Sequence, residues 1–199
     1  MFKEVDGEIK QTRASNIDKL LKVLVSQEFE RAEYFKLQYQ KYNGQIPIQE
    51  CDKWNNSYLI CQTFTAMILE AFYYDYLFEK ESKDRADKKC KQPLARFVYL
   101  AKTYLNQPEI EKSDLYFKLE ALNKLRRHWV HHKSTKLGKY SNPEQFFSPS
   151  ECISLIIEVL SIFEKYDDTY ILSSIIRESL ISVQEDVENN INSIKINTT

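Results

Sequence analysis

All three histidines of this 199-residue chain fall within one short stretch, at His128, His131 and His132. Arg126 and Arg127 stand directly before them. Lys124, Lys133, Lys136 and Lys139 add positive charge, and no carboxylate occurs between Glu120 and Glu144. An imidazole titrates near neutrality without perturbation, so it can take or give a proton there. A guanidinium carries a permanent charge in a planar fork that matches phosphate oxygens. Together the two suit cleavage of a phosphodiester. A histidine removes the proton of a ribose 2′-hydroxyl or protonates the leaving oxygen, and an arginine stabilises the charge developing on phosphorus.

Two plainer readings of the same residues stand beside that one. Basic side chains at a helix C-terminus complement the macrodipole, so the cluster also reads as a solvated helix end. His128 and His132, four apart on one face, also read as two metal ligands. Against this, HWVHH lacks the glutamate of the HExxH device and has no local third ligand. A helical projection at about 100° per residue, with Arg127 at zero, puts His131 at about 40°, His128 at about 100°, His132 at about 140° and Trp129 at about 200°. Leu122 and Leu125 fall with Trp129. Arg127, His128 and His131 therefore project away from the helix's own apolar stripe, and His132 lies at its edge.

The elements that must carry this cluster are helices. Only three glycines are present, Gly7, Gly44 and Gly138, which excludes the glycine-rich loops that bring backbone close to nucleotide phosphates. From Ser15, a candidate cap, the apolar residues Ile17, Leu20, Leu21, Leu24, Val25, Phe29, Ala32 and Phe35 recur at helical spacing up to Asn43-Gly44. A second helix is expected from about Asp52 to Glu81, apolar on more than one face and hence central. Glu70 interrupts it, and a carboxylate there either faces solvent or pairs with a buried cation. If this helix packs against the one bearing the cluster, Arg126 or Arg127 is the natural partner.

The charge run EKESKDRADKKCK reads as a solvated helix end and loop. Gln92-Pro93 opens a third helix, and Ser113 caps a fourth whose Leu115, Leu119, Leu122, Leu125 and Trp129 share a face. A loop from about Ser134 to Phe147 follows. Ser148-Pro149-Ser150-Glu151 is a capping box that starts a fifth helix, and Asp167-Asp168 starts a sixth through Ile171, Leu172, Ile175, Ile176, Leu180 and Val183 before a polar ending that frays. The expected architecture is an all-α antiparallel bundle of about five to six helices. Residues 15–188 form the domain, 1–14 an N-terminal extension and 189–199 a polar tail.

Composition bounds partners and compartment. With 28 Lys and Arg against 29 Asp and Glu, no global field draws the chain to nucleic acid or anionic lipid, so any such attraction is local. Cys51, Cys61, Cys90 and Cys152 are widely spaced, which fits reduced and mostly buried thiols. The acid-bearing start MFKEVDGEIKQTRASN is not a signal peptide, and no apolar run approaches a membrane span. A cytoplasmic protein without membrane association is expected.

LNKLRRHWVHHK, together with the earlier LEAFYYDYLFEK, resembles the HEPN superfamily, whose motif is an arginine, a polar residue and a histidine after a short spacer on a helical bundle. Arg127, His128 and His132 fit it as R-x4-H and are the preferred register. Arg126 and His131 fit with the same gap. The resemblance spans about Asn16 to Glu188 and implies a metal-independent endoribonuclease without cofactor, often of a toxin-antitoxin or antiviral system. Alternatively it implies a noncatalytic module that binds RNA or a protein partner. It also implies a homodimer and, for a toxin, a cognate antitoxin. Lys124, Lys133 and Lys136 are the candidate RNA contacts, with Glu70 in support.

Overall fold

Seven α-helices and one 3-10 turn account for most of the residues that the computed structural model describes, which are 2–5, 7–11, 14–47, 55–89, 91–130 and 147–196. The helices are α1 (Ala14–Lys41), α2 (Asn55–Lys80), α3 (Lys83–Lys88), α4 (Pro93–Tyr104), α5 (Asp114–Val130), α6 (Pro149–Tyr166) and α7 (Ile171–Ile196). The fold is an all-α bundle. In it α1 packs on α2, α2 on α6, α6 on α7 and α7 on α1 to close a four-helix arrangement in which α1 also touches α6, and α4 and α5 cover the outer side of α2.

Local chemistry sets most of the helix ends. α1 starts at Ala14, one residue ahead of Ser15, and stops where Asn43 and Gly44 take positive φ, at 49° and 85°. The Gly44 N–H then donates to the Tyr39 carbonyl at 2.9 Å, satisfying a carbonyl the helix would leave unpaired. A Cβ at Gly44 would lie 3.2 Å from the Tyr39 ring as well as straining φ, so glycine is needed. Pro93 opens α4 behind Gln92. The Ser113 hydroxyl accepts the Tyr116 N–H at 3.1 Å at the head of α5. At Ser148 both halves of the capping box form: its Oγ accepts the Glu151 N–H at 3.2 Å, and its own N–H donates to the Glu151 carboxylate at 2.7 Å.

The second helix is central, as its all-round apolar pattern requires. Residues 71 to 77 are all buried. Phe72 and Tyr76 meet Phe163 of α6 edge-on at 4.9 and 4.8 Å, and Tyr73 reaches Phe97 of α4 at 5.5 Å. Such edge-to-face pairs add to the burial of area. Residues 51–54, including the expected start at Asp52, lie outside the described residues.

Several expectations are corrected. A two-stranded antiparallel hairpin, β1 (Phe2–Val5) and β2 (Glu8–Gln11), occupies the N-terminal extension, with Val5 opposite Glu8. The charge run is partly ordered as α3: Ser82 caps it by accepting the Arg85 N–H, and Ala86 is fully buried. Carbonyls of Ala86 and Lys89 accept from the buried Arg96 guanidinium at 3.1 and 3.4 Å, which is why the run folds back onto α4. Phe29 is exposed, and Glu28 is buried in its place, bound through both oxygens by Arg31 at 2.7 and 2.8 Å. Asp167 terminates α6, its N–H donating to the Phe163 carbonyl, and does not start α7. Ile171 and Ile175 are exposed. α7 continues past the expected boundary at 188 to Ile196. Among the described residues no helix is long and apolar enough to cross a membrane.

Candidate functional site

α5 carries the arginine-histidine cluster, and its leucines decide which arginine faces inward. Leu115, Leu119, Leu122 and Leu125 are all buried, as the sequence spacing predicts. Arg126 follows Leu122 by four residues and Leu119 by seven, so it continues their stripe toward α2. Arg127, one step of about 100° further round, is exposed.

On α2 the residue facing that stripe is Glu70. Its Oε2 lies 2.8 Å from Arg126 Nη1, and each side chain retains 30% of its exposure. Glu70 is thus neither a solvated carboxylate nor a fully buried one. Leu69 and Ala71 beside it are buried, so the backbone that presents it is fixed by the core. A half-exposed ion pair contributes little to folding stability, commonly below about 1 kcal/mol. Its effect is positional: it holds one nitrogen of a five-donor guanidinium and leaves the others directed elsewhere.

Arg126 also lines a small, largely apolar cleft between α2, α4 and α5, with a volume of about 30 Å³. Tyr73, Pro93 and Phe97 form one side, and Leu122 and Asn123 the other. The Tyr73 hydroxyl is buried without a hydrogen-bond partner among the described residues. Burial drives its pKa well above the ordinary phenol value, so it stays a neutral hydroxyl. The spacing of Leu122 and Arg126 was visible in the sequence. Nothing in the sequence signalled that Tyr73 and Asn123, on two different helices, would share a cleft with them.

The other predicted site residues divide into two groups. Lys124 is exposed and bound to Glu120 at 2.9 Å on the outer face of α5, away from the Glu70 pair. His128 lies in the last turn of α5 by its backbone. The His128 side chain, and all of His131, His132, Lys133 and Lys136, lie outside the described residues. The structure therefore brings together Glu70 and Arg126, with Arg127 beside them.

Cys61 and Cys152 are buried free thiols, as their spacing suggests, and Cys51 and Cys90 lie outside the described residues. Burial pushes the Cys61 thiol up to about 12 and the Cys152 thiol further in the same direction. Neither supplies a thiolate nucleophile near neutrality. Among the described residues no three side chains of His, Cys, Asp or Glu are placed to share a metal ion. Comparison with known proteins gives no matching family model, no matching curated protein and no matching solved structure.

Proposed function

We propose that this protein is a metal-independent endoribonuclease of HEPN type, cleaving RNA by attack of a ribose 2′-hydroxyl on the adjacent phosphate. The observation that supports this most is the Glu70–Arg126 pair. It anchors one arginine of the motif at a fixed place on the surface while Arg127 stays exposed next to it. Anchoring favours the register of Arg126 with His131 over that of Arg127 with His132.

In the proposed reaction a histidine of the cluster takes the proton from the 2′-oxygen, which bonds to phosphorus as the bond to the 5′-oxygen breaks. That leaving oxygen receives a proton. The products are a 2′,3′-cyclic phosphate and a 5′-hydroxyl. Arg126 donates to a phosphate oxygen as charge builds up on it, and preorganisation by Glu70 means the guanidinium need not reorient at that moment. Single-stranded or looped RNA is the substrate class, because only a flexible backbone lets the 2′-oxygen reach in-line geometry.

A homodimer across the outer face of α5 belongs to the same proposal. Phe117, 55% exposed, shares that face with Lys124, seven residues on, and with Arg127, three residues beyond Lys124. A second copy laid there would cover the phenyl ring and double the positive charge. A toxin-antitoxin or antiviral role, with an antitoxin as partner, is the setting the resemblance offers.

The test is incubation of purified protein with mixed RNAs in excess EDTA, with the product ends analysed chemically. Cleavage to 2′,3′-cyclic phosphates is expected, undiminished by the chelator. Activity lost in EDTA and restored by zinc or manganese would favour the metal reading. Binding without cleavage would favour the noncatalytic module.

A further inference from the structure

Between Lys83 and Arg96 the chain carries six cations and two carboxylates, Asp84 and Asp87. Four of the six are engaged by their neighbours. Lys83 pairs with Asp87 at 2.7 Å, Arg85 with Glu81 at 3.2 Å, and the buried Arg96 donates to the carbonyls of Ala86 and Lys89. The Lys89 ammonium lies over the Tyr99 ring, 3.7 Å from Glu81. Lys88 and Lys91 differ from these. Lys88 keeps 80% exposure with Asp84 3.9 Å away, and Lys91 is exposed with no hydrogen bond or ion pair among the described residues. At the other end of α4 and along α5, by contrast, Lys102, Lys112, Lys118 and Lys124 each hold a carboxylate at 2.5 to 2.9 Å.

The two lysines stand next to the proposed site. Lys91 precedes by two residues Pro93, which lines the same small cleft as Arg126, so its Cα is within about 7 Å of that of Pro93. α2 gives the second measure of closeness. Glu70 holds Arg126, and Tyr74, about one turn on, donates to Asp87 at 2.7 Å, beside Lys88 in the chain. No large apolar side chain is exposed between Lys83 and Arg96 among the described residues. A lipid surface or a protein partner would need apolar anchors there, whereas a strand of phosphates needs only cations in succession.

We infer that the junction of α3 and α4 binds the phosphate backbone of single-stranded RNA running on from Arg126, through Lys88 and Lys91. The inference rests on the RNA reading proposed above and extends it from the phosphate that is cleaved to phosphates beyond it. The Arg96 guanidinium, by binding the carbonyls of Ala86 and Lys89, fixes the backbone on which the two lysines stand, so little of the chain has to be ordered when a strand arrives. Contacts of this kind set the position of the strand and carry no base preference.

The experiment measures binding of 2′-O-methyl uridine and adenosine dodecamers, which cannot be cleaved through the 2′-oxygen, over a series of salt concentrations. The logarithm of affinity falls with the logarithm of salt by about 0.7 for each phosphate contacted on a single strand. The double variant Lys88→Ala, Lys91→Ala should reduce that slope by about 1.4 and weaken both strands alike. Its melting should match that of wild type, since neither lysine is buried. Lys102→Ala with Lys112→Ala makes the same change of charge at the other end of α4 and should leave the slope near that of wild type. An equal reduction in both double variants would show an effect of net charge alone and overturn the inference. A slope unchanged by loss of Lys88 and Lys91 would also overturn it, with the RNA reading intact. Failure of wild type to bind either strand would overturn the RNA reading and this extension with it.

Discussion

Two carboxylates at either end of one stretch of α2 are treated very differently. Glu81, just beyond the helix, is 6% exposed and fully engaged: it accepts from the Tyr99 and Tyr104 hydroxyls at 2.6 and 2.7 Å, and Arg85 and Lys89 stand 3.2 and 3.7 Å away. Glu70, three turns earlier, keeps 30% exposure and one cation, Arg126. The first arrangement ties α2, α3 and α4 together and has no capacity to spare. The second fixes one guanidinium at the surface, adds little to stability, and engages only one of that guanidinium's nitrogens among the described residues. A complete network marks a structural joint, and the incomplete one at the cleft mouth is what the proposed function draws on.

That contrast can be broken most forcefully at Arg126. Replacing it with alanine should lower RNA cleavage by about 100-fold or more, the scale associated with losing one transition-state donor. Glu70→Gln should reduce cleavage on the order of tenfold, because the guanidinium stays but loses its anchor. The corresponding change at the joint, Glu81→Gln, should leave cleavage within about twofold of wild type and lower the melting temperature by a few degrees, since a buried network loses its charge.

A pH titration of stability sharpens the same comparison. The Tyr99 hydrogen bond, joined by Tyr104, Arg85 and Lys89, overcomes burial and lowers the Glu81 carboxyl from 4.5 to about 2. Burial raises the Asp167 carboxyl, but Lys80, Thr169 and Tyr76 outweigh it and bring the group from 3.8 to about 2. Both groups bind fewer protons folded than unfolded above these values. Their stabilisation is therefore complete above about pH 4.5 and is lost as the pH falls toward 2. Chemical denaturation across that window should show a steep loss for wild type and a shallower one for Glu81→Gln. The smallest expected effect is on association: light scattering at micromolar concentration should give a dimer, weakened by Phe117→Ala. A strictly monomeric, fully active protein would confine the site to one chain.

Much of this was legible in the residues. The capping box at Ser148, the proline at Pro93 and the stop at Asn43-Gly44 act through neighbours in sequence, so local pattern alone locates them. The leucine stripe of α5 and the interruption at Glu70 were visible too, and together they forecast the ion pair. What escaped depends on polar contacts that the apolar pattern does not show. Glu28 is buried ahead of Phe29 because Arg31 neutralises it in place, and Arg96 is buried because carbonyls of α3 arrive from outside its helix. The preference for Arg127 with His128 and His132 came from the motif, which does not say which arginine faces α2. Packing against α2 turned Arg126 inward along the stripe. The hairpin was signalled by Asp6-Gly7, a dipeptide suited to a tight turn between strands, but its strands are short and polar for a sheet. The cleft needed three helices to meet before it existed.

The most direct test of the account puts cleavage and melting side by side in wild type, Glu70→Gln, Arg126→Ala and Glu81→Gln, on one mixed RNA substrate in EDTA. Arg126→Ala and Glu70→Gln should lose cleavage in that order of severity while melting within about two degrees of wild type, as expected for a half-exposed pair. Glu81→Gln should melt earlier and cleave normally. Equal cleavage by wild type and Arg126→Ala, or a loss of melting temperature at Glu70 as large as that at Glu81, would contradict the account and make the Glu70–Arg126 pair another structural joint.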